Sequence, residues 1–301
     1  MKDYADQNGI VLISPLSTAR SLAIPGDNLF RFTPDDAQEG LAVAALAFAD
    51  GIRVIVPVSR DDEGNLGLQG AMKTSFEAAG GRVLPLIKYG ANEKDFADEV
   101  KSVAVGISGA GAPSQAVGVY LTAFDEVTAL FAAASSASDA TTLKSVRWYG
   151  SDSVALSKGL VEDRTAAAFA GQAGYPNPIL GLSERDRGIW GPVSQTVAKK
   201  LGREPDAFAL AAYDALTVAY RASKATGKDG DLLRLKSELV QIASTFSGLT
   251  GPTVLNGAGD RAIGNYDFWS VCASGGLYAW KLVATYTAAS SGPGRVERRS
   301  C

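Results

Sequence analysis

Residues 10–20 read IVLISPLSTAR, and the fold follows from how that stretch is parsed. Four apolar residues, 10–13, run without a break; Ser14-Pro15 ends the run and Ser17-Thr18 follows at once. A short unbroken apolar run predicts a parallel strand buried on both faces. Proline ends its hydrogen-bonding ladder. The hydroxyl pair then sits just past the carboxyl end of the strand, the edge at which open α/β sheets bind ligands. Two hydroxyls with their backbone N–H groups suit a carboxylate, and the same pair also serves as a plain helix cap.

Outward from that stretch, strands and helices alternate. Strands are predicted at 28–33, 54–58, 83–87, 117–121 and 146–149, with helices at 36–50, 68–79, 96–105 and 126–134 between them. Asp35 and Asp36 suit a helix start and Gly51 its stop. Such alternation is the signature of a doubly wound parallel sheet. The Gly-rich 106–112, GISGAGA, precedes a strand and reads as a connector. Gly171 to Pro178 is rich in Gly and Pro and reads as a crossing segment. Helices follow at 193–201, 206–223 and 236–244, and in the second Leu210, Tyr213, Thr217 and Tyr220 share a face at core-like spacing. Strands are predicted at 253–255, 268–273 and 279–286, and a polar tail from 287 is expected to be disordered.

Composition narrows the chemistry. The chain has 301 residues, 46% hydrophobic and 20% charged, enough for one large or two medium domains. A net charge of −3 and a pI near 5.2 give no basic footprint for nucleic acid. There is no histidine, which excludes Ser-His-Asp triads, His general bases and most zinc sites. There is no G-x-S-x-G elbow and no phosphate-binding Gly loop after the first strand. Cys272 and Cys301 have no metal-ligand spacing; they are either a disulfide or, the favoured reading, a buried thiol and a free tail thiol. The Ala-rich runs are far short of the ~20 apolar residues that span a bilayer. Residues 1–6 lack the apolar core of a signal peptide, and 2–7 read as the tail of a helix.

Five segments in this order carry a resemblance: YADQNGIVLISPLST at 4–18, LFRFTPDDAQEG at 29–40, VIVPVSRDDEGNLG at 54–67, NEKDF at 92–96 and AAYDALTVAYRA at 211–222. Together they make the chain resemble the type I periplasmic (extracellular) solute-binding proteins of ABC importers of branched-chain amino acids. The resemblance implies two Rossmann-like α/β lobes joined by three crossings, with one ligand held between them. The first lobe would comprise 1–33 and 174–259, the second 34–173 and 265–286. It implies that strands preceding this opening are missing from the first lobe, and that the start falls at an internal methionine of a longer reading frame. It implies no catalysis and no cofactor. The implied partners are a small-molecule ligand and the membrane permease of an importer, at a periplasmic or extracellular membrane-associated location. The alternatives are a ligand-sensing receptor domain of the same fold and a truncated fragment that binds nothing.

Position by position, the resemblance places Leu16 (through its carbonyl), Ser17 and Thr18 at the head group of an amino-acid ligand. Asp36 matches the aspartate of the turn after the first crossing, though an N-cap is the favoured reading of it. Asp152 matches an acidic residue facing the ammonium; a loop cap is its plain reading. Phe124 falls where an aromatic, often tyrosine, lines the cleft, or else is core. Gly64 stands where many members carry a tyrosine. These last two departures imply a roomier, less polar pocket, as open to aromatic acids as to leucine.

Overall fold

The computed structural model describes residues 1–289 and 294–301. Its sheet-forming logic is clearest in Val54–Arg60, where every residue but the last is buried. Burial on both faces is what a parallel strand covered by helices requires.

In chain order the elements begin with α1 (Lys2–Gln7), β1 (Leu12–Ser14), β2 (Leu29–Arg31), α2 (Asp36–Ala49), β3 (Val54–Arg60) and α3 (Glu63–Ala78). Next come β4 (Arg82–Val83), β5 (Ile87–Tyr89), α4 (Ala97–Ser108), β6 (Val117–Thr122), α5 (Val127–Ser136), α6 (Ala140–Lys144) and β7 (Arg147–Tyr149). Then follow α7 (Lys158–Glu162), α8 (Arg164–Ala173), β8 (Asn177–Leu180), α9 (Arg187–Leu201), α10 (Ala207–Thr226) and α11 (Leu232–Thr245). Short β9 (Ser247–Gly248) and β10 (Gly251–Pro252) precede β11 (Tyr266–Ser274), β12 (Leu277–Thr287) and β13 (Arg295–Arg298). The chain divides into two units, Met1–Gln38 with Leu180–Asn265, and Glu39–Ile179 with Tyr266–Cys301.

The second unit is built on a parallel sheet ordered β4-β3-β6-β7, with β5 also pairing β3. Alternate residues of β3 serve opposite faces, as the period of a strand dictates: Val54, Val56 and Val58 join one core and Ile55 the other. The first core gathers Phe131, Trp148, Phe169 and Tyr175, whose rings sit 4.8–5.4 Å apart. Such rings contribute ~1.5–3 kcal/mol each by burial. A second sheet, ordered β13-β12-β11-β8, carries the antiparallel β11–β12 hairpin, which turns over Gly275-Gly276.

Here the structure corrects the sequence reading at several places. The tail is not disordered as far as it is described: residues 295–298 add a strand to the edge of β12, and Cys301 is bonded to Cys272 with their Cα atoms 5.6 Å apart. Residues 290–293 of that tail lie outside the described residues. The cross-link replaces the expected pair of free thiols. Helix α3 begins at Glu63 because Asp62 caps it, accepting from the Asn65 N–H at 3.0 Å. The Gly/Pro segment holds a strand, Asn177–Leu180, directly after helix α8. Residues 253–255 form no strand; Leu255 makes a single bridge to Arg261.

In the first unit β1 and β2 pair in parallel, Leu12 opposite Leu29 and Ser14 opposite Arg31. Strand β1 is half-buried rather than buried on both faces, since β2 is its one partner among the described residues. The core lies instead on Phe30 and Phe32, packed on Ala215, Val218 and Ala222 of α10. That helix turns its small residues inward, so Tyr213 and Tyr220, expected in the core, are 50% and 63% exposed. Asp214 of α10 is buried and accepts from Leu249 N–H at 2.7 Å, Thr250 N–H at 2.9 Å and Thr250 Oγ1 at 2.7 Å. Arg261 completes this network by donating to Thr250 Oγ1 at 2.7 Å and Thr250 O at 2.6 Å.

Arg31 and Asp260 form a second buried pair, bidentate at 2.5 and 2.7 Å. Gly259 beside it has φ +79°, and an added Cβ would stand 2.8 Å from Leu29 O, so only glycine fits. Two outcomes follow. Asp260→Ala leaves a fully buried guanidinium unpaired and should lower unfolding stability by about 3–5 kcal/mol in urea titration, whereas the double replacement Arg31→Met, Asp260→Leu should lose less. Cys301→Ser should free β13, so that trypsin removes the C-terminal residues roughly tenfold faster than in the oxidised chain.

Candidate functional site

In the first unit the loop after β1 is shaped by Ser14. Its Oγ accepts from the Ser17 N–H at 3.0 Å and the Leu16 N–H at 3.3 Å and donates to Ser17 Oγ at 2.9 Å. Arg31 reaches the same loop, donating to Ser17 O at 3.2 Å and Ala19 O at 2.8 Å. Leu16 is thrown outward, 60% exposed, and the hydroxyls of Ser17 and Thr18 sit half-buried beside it. The Thr18 carbonyl accepts from the Asp36 N–H at 3.0 Å, so four of the expected site residues share this corner. The helix-starting carboxylate is that of Asp35, which accepts from the Ala37 N–H at 3.1 Å; Asp36 itself is buried. Since Ser14 consumes two loop N–H groups, hydroxyls are the donors this corner offers an anion.

In the second unit the carboxyl ends of β3, β5, β6 and β7 present another group. Arg60 ends β3, and its guanidinium lies 4.9 Å from the Phe124 ring centre. It pairs with Asp62 at 3.0 Å and Glu126 at 3.6 Å. Glu126 also accepts from Tyr89 Oη at 3.0 Å and Phe124 N–H at 3.2 Å. Phe124 is therefore not plain core: the residue is 41% exposed, with a cation over its ring. Gly64 lies in the first turn of α3, beside that cluster, and a Cβ there would touch only Asp62 Oδ1, at 3.6 Å. The Tyr89 hydroxyl is held well above its usual range, by burial first and by Glu126 second.

Asp152 follows the end of β7, and its N–H donates to buried Glu39 at 3.2 Å. Its carboxylate accepts from Ser153 Oγ at 3.1 Å, and among the described residues it has no cation partner. Burial raises its pKa above the usual carboxylate range, although the Ser153 hydrogen bonds act the other way. Among the described residues no hydrogen bond joins Asp152 to Phe124 or Gly64. Next to it, Ser151 Oγ, Tyr175 Oη and Asn177 Oδ1 are fully buried and make no hydrogen bond among the described residues. They crowd Gly150, where any Cβ would collide with Asn177 and Tyr175.

The sequence reading did not single out Arg60, Tyr89, Glu126, Tyr175 or Asn177 as site residues. Arg60 and Tyr89 each close a parallel strand, so the strand-end rule that flagged Leu16–Thr18 could have found them. Tyr175 and Asn177 had no such signal, because the Gly/Pro composition around them reads as a loop. No group of acidic or sulfur ligands among the described residues is arranged to hold a metal ion. No helix of the described chain is long and apolar enough to cross a membrane.

A raised Asp152 pKa has a definite sign. The native state binds that proton more tightly than the unfolded chain, so the contribution is full at low pH and is lost as pH rises through the native value. Asp152→Asn should therefore match the parent in thermal stability near about pH 3.5 and exceed it near about pH 7, as read by calorimetry across that range.

Comparison with known proteins bears on the fold and the family. Among curated proteins, an uncharacterized protein of Methanocaldococcus jannaschii is 30% identical over 303 residues, covering 95% of this chain and 69% of that protein. Among solved structures, the leucine-binding protein LivK of Thermotoga maritima superposes with a TM-score of 0.71 at 20% identity, over 93% of this chain and 74% of that one. An R. palustris ABC-transporter solute-binding protein, solved with 4-hydroxybenzoate, gives 0.72 at 14% identity, over 95% and 74%. The fold is thus the type I binding-protein fold. A family model described as periplasmic binding protein matches residues 1–276. With nine-tenths of its length so matched, the chain belongs to the periplasmic binding protein family, whose members bind solutes rather than transform them.

Proposed function

We propose that this chain is the solute-binding component of an ABC-type importer, and that its ligand is an amino acid, branched-chain or related, or a similar small carboxylate. One observation carries the ligand class: Asp152 is a partly buried carboxylate without a cation partner among the described residues. A carboxylate so placed is stabilised by an arriving ammonium. Ser17 and Thr18 supply the complementary hydroxyl donors for the ligand carboxylate. A ligand that binds one conformation better than another would shift the equilibrium toward it, and that is the form a membrane permease would read. The Cys272–Cys301 disulfide supports a location in an oxidising compartment outside the cytoplasm.

A second ligand class, aromatic acids, is favoured by the half-exposed Phe124 ring under Arg60 and by the open space at Gly64. Titration calorimetry against the standard amino acids, benzoate and 4-hydroxybenzoate separates the two. The amino-acid reading expects saturable binding that Asp152→Asn weakens at least about tenfold, the ~1.4 kcal/mol or more of a lost charge-assisted bond. It expects Thr18→Ala to weaken the same ligand several-fold. An aromatic acid that binds equally well to the parent and to Asp152→Asn would replace it. A protein that takes up none of these compounds would remove the whole proposal.

A further inference from the structure

We propose a second ligand site, independent of the one above: a cationic cleft at the amino-terminal edge of the second unit's parallel sheet that takes a small oxyanion of two or more negative charges. The cleft has a volume of about 650 Å³ and opens where β3, β6 and β7 begin, with the end of α2 and the C-terminal residues as walls. Strand β3 is seven residues long, which separates this edge from the carboxyl edge by about 20 Å. Such a volume suits a small molecule rather than a flat protein contact.

Its charge is what assigns the ligand. Lys144, Arg147, Arg298 and Arg299 line it, and Asp50 is the sole acidic side chain among the lining residues. The Asp50 side chain is only 4% exposed, and both its oxygens are taken. Oδ2 accepts from Tyr149 Oη at 2.7 Å and meets Arg147 at 3.1 Å, while Oδ1 meets Arg298 at 2.6 Å. One carboxylate thus serves two guanidiniums, each about half-exposed and each with donors to spare. Lys144 sits 5.9 Å over the Phe169 ring, and Arg299 has no acidic partner among the described residues. A carboxylate on Cys301 would still leave the cleft cationic. Paired guanidinium forks are the groups that hold carboxylate or phosphate oxygens in bidentate fashion. Arg298 ends β13 and Arg299 follows it, and the Cys272–Cys301 bond ties down the chain just beyond. The site is therefore complete only in the oxidised chain.

Titration calorimetry of the oxidised protein with citrate and with inorganic pyrophosphate, at constant ionic strength set with chloride, tests the site. Saturable one-to-one binding is expected, with a Kd below about 1 mM. Binding of citrate alone or pyrophosphate alone would identify carboxylate or phosphate as the preferred source of the charge. Lys144 and Arg299 make no ion pair among the described residues, so Lys144→Ala and Arg299→Ala should each weaken binding about fivefold without changing the anion-free melting temperature. Asp50→Asn should tighten it, because the competing carboxylate is gone. Phe124→Ala should leave it unchanged. Heat that scales with ionic strength alone, absence of saturation, or equal affinity in the parent, Lys144→Ala and Arg299→Ala would overturn the proposal.

Discussion

One guanidinium joins the loop after β1 to the 259–261 segment of the first unit. Arg31 ends β2 with no exposed surface, and its side chain makes four hydrogen bonds to three partners. Two go to Asp260 and the rest to the carbonyls of Ser17 and Ala19, so the loop after β1 is held by the same group that binds the 259–261 segment. A desolvated pair of this kind is a weak source of stability against an apolar core. Its geometry is nonetheless restrictive: the planar fork admits one placement of the loop and one of Asp260. Serine and threonine hydroxyls are short, and such a pair is useful to a ligand only if its backbone does not wander. Specification of position, more than stability, is what the pair supplies.

The second unit reaches the same end by a different economy. Its sheet is covered on both faces, so its polar chemistry is confined to the strand ends. Gln69, reaching from α3 to Val58 O at 2.7 Å and Tyr120 O at 3.0 Å, shows how little polar freedom is left inside. At the carboxyl edge Glu126 gathers Arg60, Tyr89 and the Phe124 backbone. At the amino edge Asp50 gathers Arg147, Arg298 and Tyr149. Each edge thus has one shielded acid, Glu126 for Arg60 and Asp50 for Arg147 and Arg298, and each leaves cationic or aromatic surface toward solvent.

Much of this was legible in the residues. The β-branched run 54–58 and the alternation around it fix the parallel sheet, because a strand buried twice must be apolar throughout. Leu16, Ser17 and Thr18 follow the end of β1, as the strand-end argument expects, while Asp36, which only the resemblance singled out, reaches that corner through its N–H to the Thr18 carbonyl. What failed did so for identifiable reasons. The stripe through Tyr213 and Tyr220 has helical period, but period cannot say which of two adjacent stripes faces the core when alanines compete. The run 10–13 is apolar, yet exposure depends on how many strands flank it, which no local pattern encodes. Cys301 pairs with Cys272 only because β13 folds back along β12, a long-range event. The Asn177 and Tyr175 side chains come from a segment whose Gly and Pro content hides a strand.

Gly150 carries a consequence of another kind. Its missing Cβ is occupied by Asn177 and Tyr175, so these positions form an interlocked set: any larger residue at 150 demands smaller ones at 175 and 177. Mutational paths through this corner are therefore blocked to single steps and open only to coordinated ones. A lineage that remodelled its pocket here would have to cross a less stable intermediate, or begin from the strand side by shrinking Asn177 first.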